Sequence, residues 1–80
     1  MQPTAIGDAK RFYQRAMFAA LQTRKQALLD SDTEMLVIAN ERIAYLRDCT
    51  KAVEFVAKTG MAPADAFAFY GINLAKGERL

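Results

Sequence analysis

Leu28-Leu29-Asp30-Ser31-Asp32-Thr33-Glu34-Met35 decides the fold. Four polar residues, Asp30 to Thr33, separate two long stretches whose apolar residues recur at helical spacing. Ser31 followed three residues later by Glu34 reads as a capping box, in which the hydroxyl and the carboxylate satisfy the free N–H groups of a helix start. Asp32 and Glu34 also place negative charge where the helix dipole favours it. One helix therefore ends at about Leu29 and the next begins at about Asp32. A connection this short folds the second helix back antiparallel to the first.

Upstream, the first helix is predicted over residues 4–29, with Thr4 or Asp8 as its cap. No breaker follows Gly7. At 100° per residue, Ile6, Ala9, Phe12, Tyr13, Ala16, Met17, Ala19, Ala20, Leu21, Ala27 and Leu28 fall in one broad arc. Arg11, Arg15, Gln22, Lys25 and Gln26 fall opposite. Downstream, the second helix is predicted over residues 32–59. Its apolar arc holds Met35, Ile38, Ala39, Ile43, Tyr45, Leu46, Cys49, Val53, Val56 and Ala57, and Gly60 is placed to end it in a left-handed conformation. Each helix is about 35–40 Å long at 1.5 Å per residue. Facing positions should sum to about 61 or 62, given where the turn lies.

Pro63 suits the first turn of a third helix. That helix is predicted over residues 63–76, with Gly77 as its stop. Between Met61 and Ala75 the single charge is Asp65. The expected fold is all-α: a coiled-coil-like antiparallel two-helix hairpin plus a short apolar third helix, one domain over residues 1–80, with no strand anywhere.

Eighty residues, 52% of them hydrophobic, are too apolar for a disordered tail and few enough to leave a marginal core. There is no histidine, so the commonest general base and the commonest metal ligand are both missing. Cys49 is the one cysteine; it lies in the apolar arc of the second helix and reads as a small core residue. No glycine-rich phosphate loop is present. These features argue against an enzyme, a cofactor and a metal. Glu34, Glu41 and Asp48 make an acidic stripe, but successive members lie about 10 Å apart along the axis, too far for two to share one ion. The first five residues lack a basic leader and no apolar run is long enough to cross a bilayer, so the expected compartment is the cytoplasm, without membrane contact.

The net charge of +2 is too small to argue for nucleic acid, yet it is unevenly spread. Residues 8–29 carry Lys10, Arg11, Arg15, Arg24 and Lys25 against Asp8 alone. Three candidate sites follow. Arg11, Arg15, Phe18, Gln22 and Lys25 share one stripe of the first helix and form a candidate partner-binding face. Arg24 and Arg42 fall inside apolar arcs, where a buried arginine must be paired; they are candidates for an anion pocket, with structural pairing or a reach to the edge of the arc as the plainer reading. Phe67, Phe69, Tyr70 and Leu74 of the third helix are candidates for an oligomer interface.

Each apolar arc spans roughly 160–200°, wider than the seam between two helices requires. The surplus is most simply buried by a second copy of the chain or by a target. The expected function is a non-enzymatic interaction module, a homodimer or higher oligomer that binds and occludes a partner protein. Small histidine-free helical chains of this kind are frequent among phage and mobile-element regulators and inhibitors. The alternative is a binder of a nucleotide or other phosphorylated anion at a subunit interface. Nucleic-acid binding through the basic face of the first helix ranks third.

Overall fold

A computed structural model describes residues 3–80 of the chain. Two long helices, α1 (Pro3–Leu29) and α2 (Thr33–Thr59), pack antiparallel along a body of 43 × 24 × 17 Å. A short helix α3 (Pro63–Phe69) follows, then a two-stranded ladder of β1 (Ile72–Asn73) and β2 (Glu78–Arg79). The ladder is antiparallel, with Ile72 opposite Arg79 and Asn73 opposite Glu78.

The turn lies where expected but is capped differently. Asp32, not Ser31, is the N-cap of α2: its carboxylate accepts a hydrogen bond from the Met35 N–H at 3.0 Å. Ser31 instead takes the left-handed conformation, φ 53°, that reverses the chain. The capping box is therefore replaced by a single aspartate cap, which fills the same need of the free N–H groups. Asp8 caps nothing; it lies inside α1 and pairs with Arg11 at 2.6 Å. The role expected of the Thr4 side chain falls outside the described residues. Gly60 does end α2 as predicted, with φ 70° and its N–H donating to the Val56 carbonyl.

The largest departure is at the C-terminus. The third helix stops at Phe69, seven residues short of the expected end, and the chain turns into the β1–β2 ladder, contrary to the expectation of no strand. Gly71 is the physical reason. It sits at φ 76°, which glycine alone adopts without a Cβ penalty, and so breaks the helix. The Asn73 side chain then accepts from the Lys76 N–H, the Gly77 N–H donates to the Asn73 carbonyl, and Gly77 adopts φ 66°: a tight turn built by an asparagine and a glycine.

The core is divided between the two ends of the hairpin. At the closed end, Phe67 of α3 and Ile72 of β1 pack on Cys49, Ala52 and Val53 of α2 and on Ile6, Ala9 and Tyr13 of α1. Tyr13 beside Cys49 gives a facing sum of 62, the predicted register. Towards the turn, the core thins to Ala20, Ile43 and Leu46, then to Ala27 and Ala39. α3 and the ladder do not reach this tip.

Candidate functional site

The groove beside the tip follows from heptad rows on α2. Residues seven apart return to nearly the same side of a helix. Cys49 and Val56 are buried at the closed end, and Arg42 stands one heptad before them. Ala52 is likewise buried, while Tyr45 and Ile38 precede it in its row. The trough that α3 fills at the closed end thus continues along α2 towards the tip, where α3 does not reach and, among the described residues, it stays open. The open part has a volume of about 530 Å³ and is lined by Ile38, Glu41, Arg42, Ala44, Tyr45 and Arg79.

Arg79 closes this groove from the ladder. Its guanidinium bonds Asp48 at 2.7 Å, and the same nitrogen lies 3.4 Å from the Tyr70 carbonyl. Both Arg79 and Arg42 lie over the Tyr45 ring, at 5.8 and 5.7 Å from its centroid. Arg42 is exposed and, among the described residues, has no carboxylate within ion-pair distance. Of the plainer readings, pairing is corrected and the reach to the edge remains: no charged side chain is buried among the described residues, and Arg42 rests on an aromatic face in an open groove. Arg24 is half-buried and is not part of this groove, so the two arginines do not form one pocket.

Beneath the groove, Tyr13, Tyr45 and Cys49 form the polar seam of the core. Burial raises the Tyr13 hydroxyl to about 12, with the neighbouring Cys49 thiol a further cause. Burial also pushes Tyr45 and Cys49 upward. Cys49 is fully enclosed, which agrees with its reading as a core residue; its thiol is kept protonated rather than activated.

The basic stripe of α1 is on the surface as placed. Arg11, Arg15, Phe18, Gln22 and Lys25 are all exposed, and α3 does not cover Phe18. Of the four third-helix candidates, Phe67 is consumed in the chain's own core and is unavailable to a partner. Phe69 is 70% exposed, although its ring stacks on Phe55 at 5.5 Å and 10°. Tyr70 meets both rings edge-on, and Leu74 lies in the turn of the ladder rather than on a helix. Glu34, Glu41 and Asp48 form no cluster that could hold a metal ion among the described residues.

The groove's wall was only half legible. Ile38 and Tyr45 share a row with Ala52, so periodicity could have found them. Arg79 could not be found that way, because the ladder brings it from the far end of the chain. The architecture is that of a helical hairpin closed at one end. Comparison with protein-family models, with curated proteins and with solved structures returns no match for the chain.

Proposed function

We propose that this protein is a non-enzymatic interaction module that associates with a second copy of itself and, as the assembled unit, binds and occludes a partner protein. One observation carries the reading. The tip of the hairpin is apolar on several sides at once: Leu28, Leu29, Val37 and Ile38 are 59, 70, 51 and 57% exposed, with Leu21 and Met35 less so. A helix pair apolar on its outer surfaces is one designed for cover. With Leu21 and Met35 included, the tip leaves on the order of 600 Å² of aliphatic surface, against about 800 Å² per partner in a standard interface. The partner protein is assigned to the basic stripe around Phe18, which is remote from the core and free of packing duty. No helix among the described residues is long and apolar enough to cross a membrane; the cytoplasm is the proposed compartment.

Sedimentation velocity at tens of micromolar tests the self-association. A dimer or larger species is expected, and a well-folded monomer throughout would overturn that part of the reading.

A second reading, the binding of a phosphorylated small anion, has its own support in the groove. Two guanidinium groups stand by one tyrosine ring there, and arginine forks suit phosphate oxygens. Titration calorimetry with ATP and with pyrophosphate checks it; heat that vanishes in Arg42→Ala is the expected sign.

A further inference from the structure

The open groove carries an unmatched cation inside an apolar trough, and the tip of the same chain carries acids beside exposed leucines. We infer that the occupant of the groove is the hairpin tip of a second copy, in a two-fold pair with the tips overlapped antiparallel; this rests on the self-association proposed above.

Charge complementarity comes down to one pair, Asp30 of the tip and Arg42 of the groove. The tip presents Asp30, Asp32 and Glu34 directly beside Leu28 and Leu29. All five are exposed. The groove offers apolar walls from Ile38, Ala44 and Tyr45, with Glu41 and Arg42 at its sides and Arg79, already paired with Asp48, at its end. Among the described residues Asp30 is engaged only by Gln26 of its own helix, at 3.0 Å, and Arg42 only by the Tyr45 ring. Bringing Asp30 to Arg42 across the pair lets each find an opposite charge in partly desolvated surroundings, where ion pairs count for more than on an open surface.

The lengths also fit. α3 and the ladder pack on α2 from about residue 45 onward, so residues 33–44 are covered on the side that faces α1, with Arg79 alone at the groove's edge. Twelve residues of helix extend about 18 Å. If the tip of one copy reaches the level of Arg42 in the other, facing positions on the two α2 helices sum to about 73. Met35 then meets the partner copy's α2 at the level of its Ile38, and both exposed residues are covered. The overlap stops where the ladder begins, so the second copy takes up the trough where α3 leaves it. The arrangement is isologous: each tip fills the other's groove, and the assembly closes at two copies.

Charge exchange tests this directly. Asp30→Arg puts a cation at the C-terminal end of α1, where the helix dipole favours it, so the fold is not at risk. Arg42→Glu changes an exposed helical position. The unaltered protein, each single variant, the double variant and an equimolar mixture of the two singles are run by sedimentation equilibrium, with circular dichroism to verify folding. Each single variant alone is expected to dissociate at least tenfold more readily. The double variant and the mixture are both expected to recover association, because every tip–groove contact again joins opposite charges. A dimer indifferent to both substitutions, or one that neither the mixture nor the double variant restores, overturns this pairing while self-association stands. An unaltered protein that stays monomeric overturns both.

Discussion

The two ends of the hairpin use the same helices and reach opposite outcomes. At the closed end, α2 presents Cys49, Ala52, Val53 and Val56, and a short helix with one large aromatic, Phe67, covers them. At the tip, the same rows present Ile38 and Arg42, both exposed, and Tyr45, half-buried with Arg79 over its ring. The difference lies less in the residues of α1 and α2 than in the reach of a third element. Residues 61–80 pack at the end where α2 finishes. Two helices alone have no second layer to bury their outer flanks. Stability is therefore concentrated at the closed end, and uncovered apolar surface at the tip.

The sharpest way to break this contrast is to remove Phe67. Phe67→Ala should cost about 3–5 kcal/mol, a large share of the roughly 4–12 kcal/mol that a domain of this size possesses. Thermal melts followed by circular dichroism should show a largely unfolded protein. Ile38→Ala, measured at concentrations dilute enough to separate copies, should cost less than about 1 kcal/mol, because the residue is already exposed to water. Equal losses at the two sites would abolish the distinction between the ends.

Alkaline titration sharpens the same contrast through the core seam. Tyr13, Tyr45 and Cys49 all have raised pKa values in the fold, with burial as the leading cause. Such groups hold their protons more tightly folded than unfolded. Their contribution is fully present below the unfolded values, 9.0 for the thiol and 10.0 for the phenols, and is lost as pH rises through the folded ones, about 12 for Tyr13. Urea midpoints should fall steadily from pH 9 upward, and Tyr13→Phe should flatten that fall. A midpoint independent of pH up to 12 would remove the seam from the account.

The two termini of α2 allow a closer comparison. Gly60→Ala meets open space but must hold φ near 70°, so the expected loss is about 1–2 kcal/mol from backbone strain. Asp32→Ala removes the cap on Met35 and should lose about 1 kcal/mol. Urea denaturation of the two variants side by side measures both.

The smallest effect belongs to the stripe on α1. Arg11→Glu with Arg15→Glu should move stability by less than about 0.5 kcal/mol per site, since both are exposed and the Arg11–Asp8 pair is a surface one. The same double variant should weaken binding of the proposed partner protein by tenfold or more in a pull-down titrated with salt. If it changes neither quantity, the stripe is a solvated face.

Much of this molecule can be read from residue order. The turn at Asp30 to Asp32, the register of Tyr13 with Cys49, and Gly60 as the end of α2 all follow from local rules of capping, periodicity and glycine conformation. The identity of the cap was misread because Ser31 and Asp32 are both good caps, and only the backbone reveals which one precedes the helix. The third helix was drawn too long because its composition stays apolar and helix-forming through Ala75. Gly71 and Asn73 carry the contrary signal.

By itself, then, the amino-acid sequence determined what depends on near neighbours: two long amphipathic helices, where they reverse, and which flank of each is apolar. Tertiary structure alone decided which parts of those flanks are covered. A helical wheel has one axis and knows nothing of where a later segment docks. Only the folded chain shows that Phe67 belongs to the core, that Arg79 joins Arg42 over Tyr45 across thirty-four residues of sequence, and that the tip is left bare. The reason is geometric: burial is a property of three packed elements, and periodicity describes one at a time.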